Sequence, residues 1–160
     1  MTLRNLLETT EKNFEFKQKA VFQWSYYYMP ELEQRGIKHG FFTAKSPRHE
    51  MQGRDKKVFL ETIDLNDLIV MKQEHGNDVH VIRNGNKPAS GDGLIILEKG
   101  LAGIVKTADC LPVIMCEPDF PAVSIIHAGW RGTSKKITKR ALEIMSDIGV
   151  DINKLIVLLG

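Results

Sequence analysis

Cysteine is scarce: Cys110 and Cys116 are the only two in 160 residues. Two cannot staple a disulfide scaffold, and with five residues between them they are not a CxxC pair. Long apolar runs are missing as well, since none approaches the ~18–20 residues that a membrane-crossing helix needs. The opening residues carry Glu8, Glu11 and Lys12 where a secretory leader would keep an uninterrupted apolar region. Neither sign of charge dominates: 22 Lys and Arg against 20 Asp and Glu leave +2. That balance gives no electrostatic reason to expect nucleic acid or an anionic membrane as a partner. There is no GxxxxGK[ST] loop, no Rossmann glycine set, no internal repeat and no low-complexity tract. Free thiols in such a chain fit a reducing, cytoplasmic setting.

What is present is a globular composition, 42% hydrophobic and 26% charged, at a length that suits a single domain over residues 1–160. Leu3, Leu6, Leu7, Phe14 and Phe16 lie among charges in residues 1–17 and predict a short helix there. The aromatic stretch from Ala20 to Met29 suits a strand or a packed surface segment. Residues 44–56, polar and interrupted by Pro47 and Gly53, read as a loop.

From residue 68 the texture changes to short apolar runs divided by turns. Strands are predicted at 68–73, 79–82, 94–97, 103–106, 113–116 and 122–126. A helix follows, capped by Thr133 or Ser134, with Ile137, Ala141, Leu142, Met145 and Ile148 on one stripe and Gly149 as its C′ residue. Leu155–Leu159 reads as a fully buried strand, and its stop at Gly160 with no return connection predicts that the natural chain continues. Strands in this number against one or two helices indicate a mixed α/β sandwich.

Three chemically capable side chains share one kind of address. His75 follows a strand and precedes Gly76, Cys110 sits in a turn between strands, and His127 ends a buried strand before a glycine-rich turn. Side chains at strand ends beside small residues are held rigidly yet open to a ligand. Two imidazoles and a thiolate would make a three-ligand zinc site with its fourth position open. Their spacings, 35 and 17 residues, are not diagnostic, and a buried Cys with two hydrogen-bonded histidines fits them as well. Cys116, inside an apolar run, reads as core, and His39, His49 and His80 as structural or surface residues. Arg131, in Gly129-Trp130-Arg131-Gly132-Thr133, offers a planar fork of donors for phosphate or carboxylate at the start of a helix. Trp130 is either core or a stacking surface. Asp109 is a candidate metal-ligand orienter or acid/base group, or a turn cap. Asp92, between two glycines, reads as a turn residue.

Taken together, Gln73-Glu74-His75-Gly76, Asp92-Gly93-Leu94-Ile95, Ala108-Asp109-Cys110-Leu111-Pro112 and His127-Ala128-Gly129-Trp130-Arg131-Gly132 resemble one known family in order and spacing. It is the family labelled multicopper polyphenol oxidase or laccase-domain proteins, described as purine nucleoside phosphorylases with adenosine deaminase activity. The resemblance runs from about Gly36 to Gly160, and residues 1–35 match only weakly. It implies zinc ligands at His75, Cys110 and His127, and a layered α-β-α sandwich with a mixed sheet like that of cytotoxic-necrotizing-factor-type cysteine hydrolases. It also implies phosphorolysis of adenosine, inosine and S-methyl-5′-thioadenosine, deamination of adenosine, and purine nucleosides and phosphate as small-molecule partners. Some members are described instead as peptidoglycan editing factors acting on muropeptide precursors.

The chain departs from the family pattern in places. Residues 44–60 differ from its usual Gly-Gly-Val-Ser-like stretch, and Glu74 stands where valine is usual. The family's later Gly-Pro and Tyr-Val segments lie beyond Gly160.

On this reading a zinc ion held by His75, Cys110 and His127 would supply activated water for C6 of adenosine, with Asp109 or Glu74 as candidate proton carrier. Arg131 and the helix start at Thr133 would hold phosphate for attack at C1′. A rival scheme makes Cys110 a thiolate nucleophile, activated by His127 or His75, in an amidase. Copper is the older claim for the family, but five histidines without an HxH pair are few for a multicopper centre.

Overall fold

The computed structural model describes residues 15–21, 24–44, 46 and 53–160. The chain divides into two compact units, Met1–Arg48 and His49–Gly160. The helix expected in residues 1–17 falls largely outside the described residues. Its last position, Lys17, begins a strand.

In the first unit β1 (Lys17–Val21), β2 (Trp24–Tyr28) and β3 (Phe41–Phe42) form an antiparallel sheet in the order β1-β2-β3. Trp24 and Tyr26 point inward by strand alternation and are buried, as are Met29 and, on the short helix α1 (Pro30–Gln34), Leu32. Pro30 starts that helix, where a missing N–H costs nothing.

The second unit opens with a helix where the sequence predicted the end of a loop: α2 (Gly53–Ile63) starts inside the polar stretch 44–56. Four charged residues in its first turns mask its period, and its apolar side appears only from Val58, with Phe59 buried. Lys56 of α2 and Lys87 both pair with Asp67, the first residue of β4 (Asp67–Val70).

The main sheet has five strands in the order β10-β8-β9-β6-β5: β5 (Val79–Ile82), β6 (Gly93–Ile96), β8 (Leu111–Cys116), β9 (Val123–Ala128) and β10 (Ile156–Leu159). β5 and β6 run parallel and the other neighbours antiparallel, so the sheet is mixed. β4 pairs in parallel with β7 (Leu101–Ile104) in a separate two-stranded sheet. The strand predicted at 103–106 thus lies two residues earlier, at Leu101–Ile104.

Strand alternation divides the sheet's apolar residues between two cores. Val79, Ile95, Val113, Met115 and Ile126 pack with Ile137, Ala141 and Met145 of α4 (Ile137–Asp147). Leu94, Ile96 and Ile82 pack on the other face with Ile69 and Met71 from the β4 side. β6 is therefore buried on both faces, which is why it reads as an unbroken apolar run. Each fully buried aliphatic side chain contributes roughly 1.5–3 kcal/mol, enough to fix the sheet's register.

Two helices occupy the segment where one was expected. α3 (Trp130–Ser134) ends at Lys135, and α4 begins after Lys136, whose φ of +61° turns the chain. The N-cap is thus Lys136, with no side-chain cap, rather than Thr133 or Ser134. Gly149 does occupy C′: its φ is +98°, and the bonds Gly149 N–H to Ser146 O and Val150 N–H to Met145 O close a Schellman motif. β10 is not fully buried. It pairs with β8 alone, so Leu158 points into the core while Val157 and Leu159 are exposed.

Candidate metal centre

The register of the main sheet assembles the site. Gly93 pairs with Ile126 and Leu111 with Ala128, so one step further along places Asp92 beside His127 and Cys110 beside Gly129. The His127 N–H donates to the Asp92 carbonyl at 2.7 Å, which continues the ladder past the strand end. The loop before β5 carries His75 to the same edge, because Asp78 accepts both the Asp92 and Gly93 amides.

The result is a cluster of the three predicted side chains. One ligand atom each from His75, Cys110 and His127 lies within 4.8 Å of the others, and the two imidazoles meet edge to face at 4.7 Å between centroids. His127 is buried, Cys110 half-buried and His75 exposed, so the cluster is anchored in the sheet and open on one side. Tetrahedral zinc, with Zn–N about 2.0–2.1 Å and Zn–S about 2.3 Å, sets donors roughly 3.3–3.6 Å apart. The cluster is therefore within about 1.5 Å of closed geometry.

Two further features fit such an ion. His127 Nδ1 is engaged at 2.8 Å by Asp92 Oδ1, which leaves Nε2 as the donor. Gly129 keeps a concavity clear: a Cβ there would meet Cys110 Sγ at 3.1 Å, His75 Cδ2 at 3.1 Å and His127 Cε1 at 3.7 Å. Gly132, in the first turns after it, lets α3 approach the His75 loop, since a Cβ would fall 2.6 Å from the Gly76 carbonyl oxygen.

Asp92 is the residue that sequence reading undervalued. It is more than a turn residue: it is fully buried, and its carboxylate accepts from the amides of Glu74, His75 and Gly76 as well as from His127. Burial alone pushes a carboxyl upward. The bonds from His127 and the three amides outweigh it and hold Asp92 below its ordinary value. A hint existed in the sequence, a carboxylate at the mouth of a wholly apolar run, but its target depends on strand pairing.

The remaining candidates stand outside the ligand cluster. Asp109 and Glu74 are exposed, and Glu74 lies 3.6 Å from Lys72 Nζ. Arg131 is exposed, with its guanidinium 5.2 Å from the Trp130 ring centre. Trp130, 74% exposed, is not core. Cys116 is core: burial pushes its thiol up to about 11.

A mixed α/β unit carrying a His-Cys-His cluster at one sheet edge is the class that fold and site define. The chain belongs to the family described as multi-copper polyphenol oxidoreductase laccase, which it matches over residues 44–160. It is 34% identical over 97 residues to a purine nucleoside phosphorylase of Mycobacterium tuberculosis, covering 59% of this chain and 39% of that one. It is 32% identical over 108 residues to the adenosine deaminase RL5 of an unknown prokaryotic organism, covering 61% and 41%. The chain thus spans about two fifths of the length of these relatives. In fold it is similar to the YfiH protein of Bacillus licheniformis, with a TM-score of 0.73 at 22% identity over 91% of this chain and 64% of that one. No helix among the described residues is long and apolar enough to cross a membrane.

Proposed function

We propose that this chain carries the metal centre of a purine nucleoside phosphorylase with adenosine deaminase activity, acting on adenosine, inosine and S-methyl-5′-thioadenosine. The observation that carries the reading is the convergence of His75, Cys110 and His127 in a chain whose relatives bear those two activities by name. Two imidazoles and a thiolate suit zinc, and a three-ligand set leaves a position for a reactant. Bound there, the ion would supply Lewis acidity and activate water near neutral pH.

The chain's own residues do the rest. Asp92 fixes the His127 ring, and Gly129 leaves the open face unobstructed. Deamination replaces the C6 amino group with oxygen from water and releases ammonia. Glu74 or Asp109, exposed carboxylates that each adjoin a proposed ligand in sequence, is the candidate proton carrier in this scheme. Arg131, exposed beside the Trp130 ring, would hold phosphate for attack at C1′ in this scheme, with Trp130 as a face for the planar base. A cytoplasmic setting and the layered likeness to cytotoxic-necrotizing-factor-type cysteine hydrolases belong to the same reading.

The test is an assay of zinc-loaded protein with adenosine and inosine, with and without phosphate. Free base is expected only with phosphate, and inosine from adenosine without it. Absence of both products discards the reading.

One observation favours a second reading. Cys110 sits beside two imidazoles, the arrangement of a thiolate nucleophile in an amidase acting on muropeptide precursors. A zinc-filled site cannot also present a free thiolate, so metal analysis of active protein separates the two. Copper polyphenol chemistry is less well supplied, because of the described histidines only His75 and His127 reach the cluster.

A further inference from the structure

We propose that Asp92 is the positioning residue of the centre, clamping both histidines through one buried carboxylate. This rests on the metal reading above and adds to it a residue that is not itself a ligand.

The hydrogen bonds leave little choice. Oδ1 accepts from His127 Nδ1 at 2.8 Å and from the His75 amide at 3.0 Å. Oδ2 accepts from the Gly76 amide at 2.8 Å and the Glu74 amide at 3.2 Å. A carboxylate has about four lone-pair directions, and four donors use them. Asp92 therefore has nothing left to offer a cation, and its work is to hold the groups that do.

Each bond constrains one histidine. His127 must carry its proton on Nδ1 to donate to Asp92, which fixes the tautomer and leaves the Nε2 lone pair free for a metal ion. His75 adopts φ of +58°, a left-handed conformation that costs a non-glycine residue on the order of 1 kcal/mol or more. Three consecutive amides bound to one carboxylate hold the loop in that conformation. Asp92 itself is fixed by the sheet: its N–H donates to Asp78 O at 3.1 Å and its C=O accepts from His127 N–H at 2.7 Å. One side chain thus links a ligand's ring, 35 residues away, to the other ligand's backbone, 17 residues away.

Asp92→Asn tests this with nearly unchanged volume. If the new amide nitrogen takes the Oδ1 place it faces the His75 N–H and forces His127 into the other tautomer. If it takes the Oδ2 place it faces the Glu74 and Gly76 amides, donor against donor. Two measurements are made on the full chain. Nitrogen-15 NMR of metal-free wild type reads the His127 tautomer, with Nδ1–H expected; this needs neither a variant nor metal. Zinc titration against a chromogenic chelator compares wild type with Asp92→Asn, and affinity is expected to fall about 10–100-fold, as for other outer partners of metal-bound histidines. An Nε2–H tautomer in wild type overturns the proposal, as does equal zinc affinity in a folded Asp92→Asn. If wild type binds no zinc yet shows Nδ1–H, the clamp on His127 stands and the metal reading falls.

Discussion

A Cβ built on Gly129 lies 3.1 Å from the sulfur of Cys110. The glycine is there for space rather than for backbone freedom, since its φ of −72° and ψ of 167° are open to any residue. Gly129→Ala should therefore fold with nearly wild-type stability while crowding Cys110 and His75 together. We expect zinc affinity to fall about tenfold, at the mild end of the ~10–100-fold range for perturbed metal surroundings. Parallel thermal melts of the metal-free proteins and zinc titrations check it. An unchanged affinity would show that the concavity is not used.

Gly132 gives the opposite expectation. Its added Cβ would fall 2.6 Å from the Gly76 carbonyl oxygen, a backbone atom in the loop that Asp92 holds. Neither side can yield cheaply. Gly132→Ala should cost ~1–3 kcal/mol, the range for overpacking, and should weaken zinc binding too because the His75 loop moves. Urea unfolding measures the first effect and zinc titration the second.

These two glycines show what was legible in the sequence. The strand runs beginning at Val79 and, one residue late, at Leu94, the amphipathic stripe of α4, and His75, Cys110 and His127 as a set were readable, because each is a local pattern or part of a segment resembling a family. Helix α2 was not, since its charged opening, Arg54-Asp55-Lys56-Lys57, hides the apolar side. The exposure of Val157 and Leu159 was not either, because a strand's place at a sheet edge depends on its neighbours and not on its own residues. Asp92 was missed for the same reason: its partners lie 16–18 and 35 residues away, and only the β6–β9 register brings His127 to it.

His39 makes the first unit sensitive to acid. Its Nδ1–H donates to Ile37 O at 2.9 Å, and its Nε2 accepts from Met29 N–H at 2.9 Å. A second proton on Nε2 would face that N–H. Burial, chiefly, lowers the imidazole's pKa below its ordinary value. The unfolded chain then binds the proton more readily, so stability is full above an unfolded pKa of ~6.5 and falls as pH drops below it. Amide hydrogen exchange of residues 24–39 should accelerate between about pH 6.5 and pH 5, beyond its intrinsic pH trend. His39→Gln, which cannot take up the proton, should flatten that response.

The two cysteines should separate cleanly by alkylation. Cys116 is fully buried, and with its thiol pushed up to about 11 only roughly one molecule in a thousand is thiolate at pH 8. Cys110 is half-buried at the open side of the cluster. Iodoacetamide at pH 8 should therefore label folded, metal-free protein once, at Cys110, and Cys110→Ser should abolish the label. Stoichiometric zinc should slow that labelling at least tenfold, because a ligated sulfur has given its lone pair to the ion, and EDTA should restore it. Mass spectrometry of the labelled peptides reads the outcome. A Cys110 that reacts at one rate with or without zinc is not a ligand, and the His-Cys-His centre would then lose its sulfur.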